Sequence, residues 1–420
     1  MSLNFARRGG WQRNLLVVWL SQFMSMVSFS AAYTFIPFYF EQLGVTGQNE
    51  LSRYVSYFAA AGNLTFCIFA PIWGLLVDVY GRRMMLLRAN FGAAALVPLM
   101  AVISSPDLLV CHRLLLGALT GTVTAAQTLV LSTTPTQNRS FALGSLASAL
   151  FGGMMCGQFL GGNFVAAYGF DAAFFGGGVL LFLSGLLILG FARENFERTE
   201  SLAHRLRRIP VGLPRFGVIW YLLFLFLYMG LAREFDGPFL PLLVKEVMNG
   251  SPEALRWSGW ISAACSLAGV ISGLVIGFLA DRTPLLRLAG VVISIAGVMR
   301  IMQSFAPTVE VLMFERVAMV LAAGGMEPLF QAWLAASTRE SEHGLYFGWA
   351  ACAKAVGWIC GSLLGGQAAQ LFGGVRGVFF VSGLMYFVTI VIMNFTAHRV
   401  APPNVSGDDR RRRTDRTAAG

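Results

Sequence analysis

The chain has 420 residues, of which 56% are hydrophobic and only 12% charged, with a net charge of +10. That is too little charge to clothe a water-soluble globule of this length. The basic excess alone would fit a nucleic-acid binder, but its placement along the chain, described below, excludes one.

Residues 1–11 form a short basic arm. Beyond it, at roughly 20 apolar residues per membrane crossing, hydropathy predicts twelve spans: 13–40, 54–76, 84–105, 107–131, 141–167, 171–192, 215–243, 257–280, 285–305, 309–335, 345–370 and 376–397. The first is too long for a cleavable signal peptide and has a counterpart in the second half. Glycine is abundant, at 47 residues, as expected where helices approach closely in lipid. The six cysteines lie in spans at no metal-like spacing and read as buried apolar filler. The expected organisation is an N-terminal six-helix half (1–192), an inter-half linker of mixed charge (193–214), a C-terminal six-helix half (215–399) and a disordered, Arg-rich tail (400–420).

The two halves repeat each other. Gly74-Leu-Leu-Val-Asp78-Val-Tyr-Gly81-Arg82-Arg83 has a weaker copy, Gly277-Phe-Leu-Ala-Asp281-Arg, 203 residues later. Arg113 matches Arg316 at the same offset; Phe35-Ile-Pro-Phe matches Phe239-Leu-Pro-Leu, Gln127 matches Gln331, and Gly157-Gln-Phe-Leu-Gly-Gly matches Gly361-Ser-Leu-Leu-Gly-Gly, each at 204. A period of about 200 residues is far above solenoid periods. It is a duplicated half, and parallel repeats with charged hinges are an architecture of alternating-access transporters.

With the N-terminus placed in the cytoplasm, 22 of the 31 Lys and Arg fall on the inner side and four (Arg53, Lys245, Arg256, Arg376) on the outer side. The positive-inside rule therefore predicts both termini inside. The other five, Arg113, Arg233, Arg300, Arg316 and Lys354, fall within spans.

These residues carry a family resemblance that covers essentially the whole chain. The Gly74–Arg83 run resembles the loop signature between the second and third helices of the major facilitator superfamily, and Arg113 with Gly117 resembles its fourth-helix motif. Gly153-Met-Met-Cys-Gly157-Gln-Phe-Leu-Gly161-Gly162 resembles the fifth-helix motif of the twelve-helix drug/proton antiporters, with Gln158 where that branch usually has Pro. The opening Trp11-Gln-Arg-Asn-Leu and Glu41-Gln-Leu-Gly-Val-Thr-Gly are similar to bacterial multidrug-resistance members. The resemblance implies an all-α integral membrane fold: twelve helices in two pseudo-symmetric halves around a central cavity lined by spans one, four, seven and ten. It places the chain in the bacterial inner membrane as a multi-pass protein, and we expect a monomer.

Charges inside spans cost roughly 2.5–3.5 kcal/mol each on insertion scales, so they need partners or water. Glu327 and Lys354 lie at equal depth, roughly 12–14 Å above the inner surface on consecutive spans. They are predicted to pair, either as a switching proton site or as a static link, with Arg113 tuning the coupling. Toward the outer ends lie Arg113, Arg233, Glu234, Asp236, Arg300, Glu315 and Arg316. They are expected to line the substrate cavity or an outer gate, with gating favoured for Arg300. Gln127, Gln331, Tyr33 and Tyr228 add polar and aromatic groups, the latter either for lipophilic cations or for lipid-facing packing. Gly74, Asp78, Gly81, Arg82, Arg83 and Asp281 are expected to form a conformational latch, and Gly153, Gly157, Gly161 and Gly162 a helix-packing stripe.

Span one carries no Asp or Glu, unlike many drug/proton antiporters. The four histidines are scattered, and no phosphate-cradling loop, cofactor or metal motif is present in the sequence. An enzyme is therefore not expected, and a gradient must supply the energy. The leading expectation is proton-coupled export of small amphipathic organic molecules. The alternatives are proton-coupled movement of a small organic anion or zwitterion clamped by Arg113, Arg233 and Arg316, and a transporter-like sensor or assembly protein. The expected partners are a small-molecule substrate, protons and the lipid bilayer, without nucleic acid.

Overall fold

A computed structural model describes residues 10–194, 219–280, 282–338 and 343–400. Among them every regular element is helical. Seven helices are individually long and apolar enough to cross a membrane. One of these, α7 (Arg139–Phe191), is two crossings joined at Gly169, whose φ of 82° interrupts the helix. The other six are α1 (Gly10–Tyr33), α4 (Arg82–Leu99), α10 (Ala254–Ala280), α11 (Leu285–Gln303), α14 (His343–Leu371) and α15 (Val375–Arg399).

Four further crossings complete the twelve. The second is α3 (Gln48–Tyr80). The fourth is split into α5 (Pro106–Leu119) and α6 (Thr122–Thr133), the seventh into α8 (Ile219–Glu234) and α9 (Leu240–Val247), and the tenth into α12 (Val309–Ala323) and α13 (Met326–Ala336). The first is also split, because α1 is followed by α2 (Ile36–Gln42). Thus the first, fourth, seventh and tenth crossings are all broken, at equivalent places in the two halves. A proline ring clashes with the carbonyl four residues earlier. Pro37 and Pro238 therefore end their helices at Tyr33 and Glu234, and these are the last residues of α1 and α8.

Packing follows the repeat. A Cβ at Gly153, Gly157 or Gly161 would lie 2.6, 2.5 and 2.7 Å from the α1 backbone at Phe23, Val27 and Ala31. Their equivalents 204 residues on, Gly357, Gly361 and Gly365, press in the same way on the α8 segment at Leu227, Leu231 and Phe235. In lipid there is no hydrophobic drive between helices, so such close backbone approach is what holds them together.

The buried apolar clusters show how the halves meet. Both termini of the bundle lie on one face, and the opposite face is called here the far face. A single cluster at the far face takes residues from both halves, including Phe35, Phe40, Phe239, Leu243 and Val375. The remaining clusters lie wholly within the second half or wholly within the first. The halves are thus fused at the far face and separate toward the termini. The six cysteines are half-buried or, for Cys111 and Cys352, exposed. Exposure of an apolar thiol is inexpensive in a lipid-facing protein.

Candidate substrate and coupling site

A cavity of about 780 Å³ opens beneath the shared far-face cluster. Its walls are the first part of α7, the end of α8, α10, and the broken pair α12/α13, with Arg300 of α11 and Tyr386 of α15 at its side. α7 and α10 touch where Gly162 meets Leu255 and Gly259 meets the Gln158 carbonyl. Ser266 Oγ then donates to Gln158 Oε1 at 2.7 Å. Nearer the termini residues of both helices line the cavity.

Glu327 sits in the first turn of α13, directly after the Gly324–Gly325 break. A helix N-terminus favours a carboxylate. The break leaves backbone donors free, and Ser272 Oγ accepts from the Gly325 N–H at 3.0 Å. Glu327 pairs with Lys354 through Oε1 and with Arg233 through Oε2 at 3.4 Å, while Gln331 Nε2 donates to it at 3.3 Å. Lys354 also lies 5.0 Å from the Trp358 ring. The neighbour of Arg233, Glu234, also lines the cavity and meets Asn63 and Arg113 of the first half.

At the closed end of the cavity Asp236 is fully buried between Arg300 and Arg316, and it also accepts from Ser382 Oγ at 3.1 Å. Arg300 donates further to Ser382 at 2.6 Å and to Tyr386 at 3.2 Å, and Arg316 to Gln303 at 3.3 Å. Charge-assisted hydrogen bonds of this kind are the strong ones.

The structure therefore brings together Glu327, Lys354, Arg233 and Gln331, and separately Asp236, Arg300 and Arg316. Arg113 does not join either group. It lies in the first half between the rings of Tyr33 (4.2 Å) and Phe58 (5.1 Å), in a channel that exists because residue 62 is glycine. Tyr33, Tyr228 and Gln127 do not line the cavity. Tyr228 turns its hydroxyl to the Met385 carbonyl, and Gln127 is exposed. Glu315 is buried and forms no ion pair among the described residues.

At the loop signature, Gly81 turns the chain from α3 into α4 at a φ of 92°, a region that side-chain-bearing residues avoid. The backbone N–H groups of Arg82 and Arg83 donate to Glu194 at 3.0 and 2.8 Å, so an acid of the linker caps α4. Gly74 and Asp78 lie on α3, and Asp281 lies outside the described residues. Sequence reasoning missed Glu194. It missed the Gln158–Ser266 bond, although Gln158 was visible as a departure from the motif. It also missed the far-face pair in which Lys245 Nζ meets Glu41 Oε2 at 2.6 Å.

The Major Facilitator Superfamily profile matches residues 18–306 and 259–418. The chain belongs to the Major Facilitator Superfamily. It is 30% identical over 392 residues to the multidrug resistance protein MdtG of Salmonella arizonae, covering 93% of this chain and 96% of that protein. Among solved structures it is similar to the nucleoside transporter NupG (D323A mutant), with a TM-score of 0.74 at 13% identity, covering 91% of this chain and 99% of that one. It is also similar to the human organic anion transporter MFSD10, with a TM-score of 0.65 at 14% identity and the same coverage. The chain is a multi-pass membrane transporter of small molecules.

Proposed function

We propose that this transporter is a proton-coupled exporter of small amphipathic organic molecules, seated in the bacterial inner membrane with both termini in the cytoplasm and working as a monomer by alternating access. The observation that carries this reading is Glu327, held on the cavity wall between Lys354 and Arg233. The cavity is mostly apolar, and the relatives at 30% identity are named multidrug resistance proteins.

A carboxylate in low dielectric stays ionised only while cations face it. Loading a proton on Glu327 frees Lys354 and Arg233, and that release biases the halves toward the other orientation. The charge change is local, and the bistable element is the pair of halves hinged beneath the far face. Asp78, Arg82 and Arg83, with Gly74, Gly81 and Asp281, would latch the outward-facing state when the termini side closes.

The test is transport in proteoliposomes under an imposed pH gradient. Glu327→Gln is expected to fold and bind substrate, yet to lose proton-driven accumulation and substrate-induced proton movement. A wild-type pH dependence in that variant removes Glu327 from the coupling role.

A further inference from the structure

Arg300, Arg316 and Asp236 hold two positive charges against one negative. All three are buried, with Arg300 only 2% and Arg316 only 8% exposed. Yet both arginines line the cavity. Arg300 Nε has no hydrogen-bond partner, and neither does the amide nitrogen of the adjoining Gln303.

The other acids near the cavity are committed elsewhere. Glu327 serves Lys354 and Arg233, and Glu234 faces Arg233, Asn63 and Arg113. Glu315 makes no ion pair with either guanidinium among the described residues. An uncompensated buried cation is costly, and guanidinium is the group best suited to grip a carboxylate or similar oxyanion.

One aromatic ring of the cavity, Tyr386, points the same way. Tyr33 and Phe58 are covered by Arg113, Tyr386 by Arg300 at 4.6 Å, and Trp358 lies beside Lys354. Of the two aromatic residues that line the cavity, Tyr386 is covered in this way, while Phe151 carries no cation against its ring among the described residues.

We propose that the closed end of the cavity is a subsite for an anionic group, a carboxylate or sulfonate carried by an amphiphile, gripped by Arg300 and Arg316. The apolar body lies along Leu240, Met319, Val320 and Ala323, which line the cavity beside that end. This narrows the substrate class of the proposed exporter and rests on the cavity being its transport site.

Three probes with one apolar body test it: 1-naphthaleneacetate, neutral 1-naphthalenemethanol and 1-naphthylmethyl-trimethylammonium. Binding is measured by equilibrium dialysis on the full-length wild-type protein in phosphatidylcholine nanodiscs. The acetate is expected to bind at least tenfold tighter than the ammonium. Arg316→Gln should remove that preference while leaving the alcohol unchanged, and Arg316→Lys should restore part of it. Equal or tighter binding of the ammonium to the wild type overturns the subsite, and needs no variant to fold. If the alcohol binds and the acetate gains nothing over it, the anionic subsite alone falls. If none of the three binds, the cavity reading falls with it. Repeating the assay with phosphatidylglycerol identifies the source of the anion: displaced acetate assigns the subsite to a lipid headgroup, and retained acetate to a free amphiphile.

Discussion

Glu327 was legible in the sequence with one charged partner and has two in the structure. Counting residues from the inner ends of spans ten and eleven put it level with Lys354, and the two side chains meet. Arg233 was assigned to the outer ends because hydropathy closed the seventh span at residue 243. In the structure that crossing runs on through α9 to Val247, and Arg233 sits deeper, beside the α8 break. The extra partner changes what mutations should do. Arg233 is 60% exposed, so Arg233→Ala is expected to cost about 0–1 kcal/mol, as for surface pairs. Lys354→Ala should cost about 1–2 kcal/mol, less than a fully buried pair would, because Arg233 still faces the carboxylate. The double variant should exceed the sum of the singles, since it alone leaves Glu327 unpaired. Thermal unfolding of the four proteins in one detergent checks this, and strict additivity would mean that Arg233 does not share the carboxylate.

At the scale of the helix, the twelve crossings and their order were readable because apolar length is what hydropathy measures. The breaks were not, because a broken span is as apolar as a whole one. The signals were nonetheless present: Pro37 and Pro238 each sit four residues past a helix end, and the Phe35 and Phe239 motifs that contain or adjoin them were seen only as a repeat. The glycine stripes were legible as a motif on α7, and their pressing on the α1 and α8 backbones explains the spacing of four. Gly157→Val and Gly361→Val should therefore each destabilise by about 1–3 kcal/mol, the usual cost of overpacking, because the atoms in the way are backbone. Gly144→Ala, where nothing lies within 4 Å, should be neutral or stabilise by up to about 1 kcal/mol through helix propensity. Melting temperatures in detergent check all three. A tolerated valine at Gly157 or Gly361 would mean that the helices sit farther apart than the geometry gives.

For the whole molecule, the duplication explains the far-face ion pair. Glu41 and Lys245 are separated by 204 residues, the same offset that relates the two halves. Residues at equivalent positions face each other where the pseudo-twofold axis passes, so identical charges there would repel. Opposite charges instead tie α2 to α9 across the seam, next to the Gln48–Glu246 hydrogen bond. The pair is about one-third exposed, so it is worth roughly 0.2–1 kcal/mol. That is too small to decide folding, but up to a fivefold factor in an equilibrium between closed and open far faces. Glu41→Lys and Lys245→Glu, which replace attraction by repulsion, should each raise the far-open population at least severalfold, and the double reversal should return it toward wild type. Spin labels at Asn49 and Glu253, at the far-face ends of α3 and α10, would read the separation directly. Rescue by the double reversal isolates the pair as a conformational lock. If the singles open the far face and the double does not close it, the charge matters through other neighbours, with Arg376 and Glu246 the next pair to test because they join at 2.9 Å on the same face.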